Sequence, residues 1–155
     1  MIKKISHVGI LVNDFEAALL FWRDALGLEV TKIEDAPKER SQVAFLPLGD
    51  SEIELVKPTD NDSSLARALE KRGPGMHHIC LEVDDIEEML SQLTHKGIQL
   101  INEQPLIGSG GKKYAFIHPK SSFGVLVELY EIPKEIGKRS DKTRFEIKGS
   151  KPAGR

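Results

Sequence analysis

The sequence lacks the features typical of secreted or membrane-spanning proteins. Cys80 is its only cysteine among 155 residues, so no intramolecular disulfide can form and a reducing compartment is compatible with the fold. No stretch of about 18 consecutive apolar residues is present. Residues 1–6 lead into an alternating strand pattern and not into an apolar run with a cleavage site. We therefore expect a cytoplasmic protein that does not enter a membrane.

A strong net charge is also missing. The 22 lysine and arginine residues are balanced by 24 aspartate and glutamate residues, which leaves a formal charge of −2. This balance provides no field that would attract a nucleic-acid backbone. We expect a small-molecule partner and no nucleic acid. Residues 134–155 alone are locally basic, and we predict a solvated C-terminal tail there, with at most one edge strand at residues 143–147.

The chain contains an internal repeat. Residues 7–16 (HVGILVNDFE) and 78–87 (HICLEVDDIE) share nearly the same order of polar and apolar positions. In each copy an alternating strand ends at an Asn/Asp-Asp pair that suits a helix N-cap, and the helix that follows ends at a glycine. Predicted helices cover residues 15–26 and 86–96, and the later predicted strands cover residues 28–33, 42–48, 51–57, 98–102, 113–117 and 124–131. Both copies therefore predict a βαβββ module.

We predict one α+β domain over residues 1–133, in which two βαβββ modules form a curved mixed sheet around a cleft. The first module covers residues 1–58 and the second covers residues 76–133. Residues 59–75 form a linker between them, with a short helix near residues 64–72. A chain of this length can bury a core without disulfides or metal clips.

Strand alternation predicts which side chains lie opposite the helices. Successive strand side chains point to opposite faces of a sheet. In the first strand, alternate apolar residues must cover the helix, which places His7 on the other face. The same rule turns His77 towards the helix side. It gives each module one histidine and one glutamate on the face away from the helices: His7 and Glu54, then His78 and Glu128.

These four side chains predict a metal site. An inward carboxylate is costly unless it is paired or bound to a metal. Two imidazoles and two carboxylates form a mixed N/O ligand set that suits one octahedral divalent ion with two open positions. Imidazole ligands argue against magnesium or calcium alone, and the absence of thiolates argues against a closed structural zinc site. Cobalt, nickel, manganese and zinc are all compatible with the set, and the open positions favour catalysis.

This repeat, with its ligands at matching strand positions, resembles the vicinal oxygen chelate (glyoxalase/bleomycin resistance/dioxygenase) superfamily and, within it, the methylmalonyl-CoA epimerases. The likeness runs from about residue 5 to residue 133. Its most specific parts are GSGG at residues 108–111, FIHPKS at 116–121 and GVLVEL at 124–129. The resemblance implies a glyoxalase-like fold, a metal-binding cleft and, as in many relatives, a homodimer.

The resemblance also implies a reaction. It is the metal-dependent epimerisation of methylmalonyl-CoA at C2, by proton removal and return through a metal-stabilised enolate. Glu128 matches the family's carboxylate that both binds metal and acts as a base. The family's second base falls at Gln42, which cannot ionise. We therefore expect Glu54 and Glu128, approaching from opposite sides, to act as the two catalytic bases after loosening from the metal. The residues expected to contact the acyl-CoA substrate are Gly110, Gly111, His118, Lys120 and Gln42.

Two other functions remain open on the same fold. The His-Glu-His-Glu set is also used by bacterial glyoxalase I (lactoylglutathione lyase), which isomerises the hemithioacetal of methylglyoxal and a thiol. The block at residues 118–120, with its preceding glycine loop, favours the epimerase because it could place cations and backbone donors near CoA phosphates. A non-catalytic drug-binding resistance protein is the third possibility, but a complete ligand set is unexpected in a sequestering pocket.

Overall fold

The strands and helices follow the repeat that the sequence predicts. A computed structural model describes residues 1–134, and its strands are β1 (Ile2–Leu11), β2 (Lys32–Ala36), β3 (Ser41–Leu48), β4 (Ser51–Pro58), β5 (Gly75–Val83), β6 (Leu106–Ile107), β7 (Lys113–Ile117) and β8 (Leu126–Glu131). Its helices are α1 (Phe15–Leu19, continued by a π-helix over Leu20–Ala25), α2 (Ser64–Arg72) and α3 (Ile86–His95). The predicted α+β fold of two βαβββ modules is confirmed.

One curled mixed sheet joins the two modules, with strand order β2-β3-β4-β1-β5-β8-β7-β6. The first strands of the modules, β1 and β5, pair antiparallel at its centre. On either side, the last strand of each module pairs parallel with its own first strand, β4 with β1 and β8 with β5. The four strands predicted to carry the candidate ligands are therefore neighbours.

Each module has its own apolar core between its helix and the sheet. The first core contains Val12, Leu19, Ala44, Leu46 and Leu55. The second core contains Val83, Ile86, Leu90, Ala115 and Leu129. Because one face of the sheet is covered by these helices, the alternate side chains of the central strands face the other side.

The helix starts also agree with the sequence signals. The Asp14 carboxylate accepts a hydrogen bond from the Glu16 N–H at the start of α1, and Asp85 accepts one from the Glu88 N–H at the start of α3. These caps satisfy amide groups that have no partner inside the helix. The linker helix α2 lies against the opposite face of the sheet, where Leu65 packs in a third cluster with Leu11 and Val56.

The second strand of the first module begins later than predicted. Sequence alternation suggested residues 28–33, whereas β2 covers Lys32–Ala36. Leu28 and Val30 pack instead against the first core, so this stretch connects the helix to the sheet before strand pairing begins. The predicted start of this strand at residue 28 is therefore wrong, because Leu28 and Val30 pack against the core before β2 begins.

The corresponding region of the second module also differs from the prediction. Residues 98–102 form no continuous strand; only Leu100 makes an isolated bridge with Ile117. The Ile98 N–H donates to the Leu93 carbonyl at the end of α3, which holds the start of this stretch to the helix and away from the sheet. The short edge strand β6 follows at Leu106–Ile107.

The remaining predicted helices and strands begin and end within two residues of those observed. No helix among residues 1–134 is long and apolar enough to cross a membrane. Apart from Lys134, the predicted basic tail at residues 134–155, with its strand-like segment at 143–147, lies outside the described residues.

Truncation of a buried leucine should lower the free energy of unfolding much more than truncation of an exposed one. Leu129 is 1% exposed in the second core, and Leu20 is 63% exposed on the first helix. We expect Leu129→Ala to lower the free energy of unfolding by about 2–5 kcal/mol, because it leaves a cavity. Leu20→Ala should change it by less than about 0.5 kcal/mol. Urea unfolding measures both values, and equal losses would contradict the described packing.

Candidate metal centre and active site

Four polar side chains meet at the centre of the sheet, on the face away from α1 and α3. The Nε2 atom of His7 lies 3.1 Å from Nε2 of His78, 3.3 Å from Oε2 of Glu54 and 3.2 Å from Oε2 of Glu128. Nε2 of His78 lies 3.2 Å from the same Glu128 oxygen. The histidines are only 6% and 8% exposed. The structure thus brings together all four side chains that alternation placed on this face.

The backbone register explains this convergence. Gly9 of β1 lies directly opposite Glu54 of β4 on one side and opposite His78 of β5 on the other. Cys80, two residues beyond His78 on the same face, lies opposite Glu128 of β8. Strand pairing alone therefore sets the positions from which the side chains reach the cluster.

Gly9 provides the space that the His78 ring occupies. A Cβ atom added at Gly9 would lie 2.2 Å from Cε1 of His78, far inside van der Waals contact. Sequence reasoning did not single out this residue. The available signal was a glycine in the middle of an alternating strand, which often marks a close approach of another group to the backbone.

The two carboxyl groups have pKa values shifted in opposite directions. Burial raises the pKa of Glu54 from 4.5 to about 7, and the nearby Glu128 charge adds to the rise while His7 opposes it. Burial also acts to raise the pKa of Glu128, but hydrogen bonds donated by His7 and His78 outweigh it and lower the value to about 2. For His7, burial acts to lower the pKa, but the hydrogen bond to Glu128 and the Glu54 charge raise it overall. Without a cation, protons bound by Glu54 and His7 therefore offset the negative charge of the carboxylates.

The spacing of these atoms fits a single metal ion. Neighbouring ligand atoms of an octahedral ion with bonds of about 2.1 Å lie about 3 Å apart. The contacts of His7 Nε2 with the other three side chains span 3.1–3.3 Å. A neutral imidazole nitrogen carries at most one proton, so it cannot satisfy three such neighbours at once. The ligand atoms of His7, Glu54 and His78 all lie within 4.8 Å of one another, and Oε2 of Glu128 lies 3.2 Å from Nε2 of each histidine. The chemistry of these residues therefore fits a mixed N/O site for a divalent cation.

Cys80 lies beside the cluster without matching the predicted ligand set. Its sulfur lies within 4.8 Å of ligand atoms of His7 and Glu128. Burial and the charges of Glu128 and Glu54 raise the pKa of this thiol. The thiol is therefore protonated in the metal-free protein. Together with His7 and Glu128 it forms a second group of side chains that could hold a metal ion.

Four of the predicted substrate contacts lie in the turns that flank β7. Gly110 and Gly111 belong to the turn before β7 and both have positive φ, at 67° and 75°. His118 and Lys120 belong to the turn after β7, where Nδ1 of His118 accepts a hydrogen bond from the Lys120 N–H at 3.1 Å. Their contact with a substrate stays a prediction.

Gln42, the fifth predicted substrate contact, lies on the other face of the sheet from the four-residue cluster, and its contact with a substrate stays a prediction. Along β3, Gln42 alternates with Val43 and shares the face of Ala44, which packs in the first core under α1. Its side-chain amide donates to Oδ1 of Asp35 at 2.8 Å. Gln42 therefore points away from the four-residue cluster.

Comparison with known proteins gives a consistent picture. Residues 6–116 match the Glyoxalase/Bleomycin resistance protein/Dioxygenase superfamily. The human protein named "Methylmalonyl-CoA epimerase, mitochondrial" is 41% identical over 127 residues, which cover 81% of this chain and 72% of the human one. "Ethylmalonyl-CoA/methylmalonyl-CoA epimerase" of Cereibacter sphaeroides is 40% identical over 134 residues, covering 85% of this chain and 100% of that protein.

A solved structure agrees with these relatives. A solved structure described as "Methylmalonyl-CoA epimerase in complex with methylmalonyl-CoA and NH4+" superposes with a TM-score of 0.79 at 31% identity. The alignment covers 86% of this chain and 97% of that one. The likeness therefore extends over both modules.

The raised pKa of Glu54 should make folding stability depend on pH in the metal-free protein. A carboxyl with a folded pKa of about 7 and an ordinary value of 4.5 stabilises the fold fully below pH 4.5, and this contribution is lost as pH rises through 7. Between pH 5 and pH 8, wild type should therefore lose roughly 2–3 kcal/mol relative to Glu54→Gln, which cannot titrate.

Urea unfolding with a chelator present, at the two pH values, tests this expectation. The matched control is Glu29→Gln, since Glu29 is exposed and away from the cluster. Its stability relative to wild type should not change between the two pH values. The same pH-independent difference for Glu54→Gln would show that Glu54 titrates normally in the folded protein.

Proposed function

The chain belongs to the Glyoxalase/Bleomycin resistance protein/Dioxygenase superfamily, and we propose that it is a methylmalonyl-CoA epimerase. The two curated relatives at 41% and 40% identity carry that name or one that includes it. A structural neighbour of the same name is a complex with methylmalonyl-CoA. Within this chain, the observation that carries the proposal is the convergence of His7, Glu54, His78 and Glu128 on one buried centre.

We propose that these four side chains hold one divalent ion, with cobalt, nickel, manganese and zinc as candidates. Two imidazole nitrogens and two carboxylate oxygens form a set that binds such ions. When bound, the ion supplies positive charge that stabilises the negative charge developing on the thioester oxygen. Among the four, no thiolate is present to favour a closed structural zinc site.

The proposed proton transfer uses Glu54 and Glu128. Epimerisation at C2 removes a proton from one face of the carbon and returns a proton to the other face, through a planar enolate. Glu54 is carried by β4 and Glu128 by β8, and these strands lie on opposite sides of the central β1–β5 pair. The two carboxylates therefore approach the cleft from opposite sides, as two bases acting on opposite faces require.

The cleft face of β3 supports Glu54 as the second base. Phe45 lies directly opposite Glu54, and Val43 lies opposite Val56, so both β3 side chains lie on the Glu54 face. Neither can accept a proton. Since Gln42 faces away, no β3 residue beside Glu54 offers a competing base.

Isomerisation of a hemithioacetal, as in lactoylglutathione lyase, is the second candidate because the same His-Glu-His-Glu set suits it. Both reactions move a proton next to a carbonyl carbon. The roughly 40% identical relatives named for epimerases favour the first. A cytoplasmic location and a homodimeric state remain predictions from the sequence.

Proton exchange at C2 distinguishes the candidate reactions. The protein loaded with Co²⁺ should exchange the C2 proton of methylmalonyl-CoA in deuterated water far faster than a protein-free control, as followed by NMR. It should not turn over the hemithioacetal of methylglyoxal and glutathione. Chelation should abolish exchange, and added Co²⁺ should restore it. Turnover of the hemithioacetal without C2 exchange would contradict the proposed epimerase activity and support lactoylglutathione lyase activity instead.

A variant that keeps only one of the two proposed bases should exchange the C2 proton of the substrate without inverting the configuration at C2. In metal-loaded Glu54→Gln, one epimer of methylmalonyl-CoA should lose its C2 proton through Glu128 and regain a deuteron on the same face. Epimerisation should fall by about 100-fold or more, the usual size of a general-base effect. Glu128→Gln should show the opposite epimer preference.

Chiral analysis of the recovered thioester reads out inversion, and NMR reads out exchange. Metal content must be measured in each variant, since both residues are proposed ligands. Glu29→Gln serves as the control and should match wild type. Full inversion of both epimers by metal-loaded Glu54→Gln would rule out Glu54 as a base.

A further inference from the structure

A β-bulge in β1 immediately precedes His7. The residue before Ser6 pairs with Leu81 of β5, and the residue after Ser6 pairs with Cys80. Leu81 and Cys80 are consecutive, so Ser6 is an extra residue without a partner on β5. Such bulges re-aim a side chain out of the regular alternation and are common beside active sites.

A second bulge, in β5, immediately precedes His78. Gly9 of β1 pairs with His78, whereas the next residue of β1 pairs with Met76. His77 lies between these two and has no partner on β1. The repeat therefore carries a bulged residue directly before the candidate histidine ligand in each module, Ser6 in the first and His77 in the second.

Each bulged side chain contacts Nδ1 of the histidine that follows it. Oγ of Ser6 lies 3.2 Å from Nδ1 of His7. Nδ1 of His77 lies 2.9 Å from Nδ1 of His78, with the two rings perpendicular at 90°. In a regular strand, consecutive side chains would point to opposite faces and could not meet in this way. Alternation predicts that His77 points to the helix side, whereas the bulge brings Nδ1 of His77 against Nδ1 of His78.

The contacted nitrogen is the one that faces away from the cluster. In both His7 and His78, Nε2 points at the other candidate ligands. An imidazole that binds a metal through Nε2 carries its proton on Nδ1, and that N–H needs an acceptor. A serine hydroxyl oxygen and an unprotonated imidazole nitrogen are both suitable acceptors.

We propose that Ser6 and His77 are positioning residues that fix the tautomer and ring orientation of His7 and His78. In this arrangement Nδ1–H of His7 donates to Oγ of Ser6, and Nδ1–H of His78 donates to Nδ1 of His77. Each bond keeps the Nε2 lone pair directed at the metal. This inference rests on the metal ion of the proposed function. It gives each histidine ligand one hydrogen-bond partner that does not itself contact the metal.

Matched variants separate the acceptor from simple packing. His77→Asn keeps an acceptor oxygen close to the position of Nδ1, and His77→Leu has a similar size but no acceptor. Ser6→Thr keeps the hydroxyl, and Ser6→Ala removes it. We expect His77→Leu and Ser6→Ala each to weaken Co²⁺ binding by about 10- to 100-fold, the usual cost of losing such a partner. The Asn and Thr variants should retain most of the wild-type affinity.

Competition titration with a coloured chelator measures these Co²⁺ affinities. NMR of Zn²⁺-loaded protein labelled with ¹⁵N-histidine supplies a second readout. In wild type, both ligand rings should show a protonated Nδ1 whose proton exchanges slowly with water. His77→Leu should remove that protection for His78 alone, and Ser6→Ala should remove it for His7 alone. A general loss of structure would not produce this residue-specific pattern.

Several results would overturn the proposal. Wild-type affinity in His77→Leu and Ser6→Ala would do so, as would equal weakening in the Leu and Asn variants. If the Leu variant does not fold, the wild-type spectrum decides, because a ring protonated at Nε2 in the Zn²⁺-loaded protein contradicts the proposed tautomer. A wild-type protein that binds neither ion would remove the metal centre itself, whereas normal wild-type binding with unchanged variants removes only the roles of Ser6 and His77.

Discussion

The antiparallel pairing of β1 with β5 is the interaction on which the rest of the structure depends. It joins the first strands of the two modules, so that residues equivalent by the repeat, His7 and His78, become neighbours across the centre of the sheet. The parallel strands β4 and β8 then lie on the outer sides and bring in Glu54 and Glu128. Neither module alone carries more than one histidine and one glutamate of this set. The four-residue site therefore requires that the two modules pair through β1 and β5.

This arrangement concentrates charge where burial is costly. Both carboxylates and the His78 ring lie within 3.3 Å of Nε2 of His7, and all four side chains are largely hidden from water. The opposite pKa shifts of Glu54 and Glu128 are the response of the metal-free cluster, since one carboxyl favours its proton and the other is held ionised by the histidines. The separate cores under α1 and α3 supply the apolar burial that keeps the sheet folded around such a centre. A divalent cation would replace the shared protons by a charge that all four side chains can contact.

Much of this could be predicted from sequence because the signals are local and repeated. Alternation, aspartate caps and glycine stops place the βαβββ elements, and alternation alone assigns His7, Glu54, His78 and Glu128 to one face. What escaped prediction depends on partners distant in sequence. A bulge inserts one residue and shifts the phase of alternation, so Ser6 and His77 could not be placed without knowing the β1–β5 register. The late start of β2 and the irregular stretch at residues 98–102 likewise reflect packing against the helices.

Gly9 and Gln42 show that sequence alone does not reveal which side chains meet across paired strands. Gly9 matters through a side chain that it lacks, because the His78 ring occupies that space, and this is visible only once β5 is paired beside it. Gln42 matches a position in the family pattern, yet its side chain lies on the helix face of β3 and donates to Asp35. A motif indicates which residues are candidates, whereas the strand register decides which of them meet.

The central claim is that His7, Glu54, His78 and Glu128 hold one ion together. Anomalous diffraction from crystals of the Co²⁺-loaded protein tests it most directly. The account predicts a single strong anomalous peak at the centre of the four side chains, about 2.0–2.2 Å from one ligand atom of each, as first-row ions bind nitrogen and oxygen. A peak elsewhere, or a peak that contacts fewer than these four residues, would contradict it.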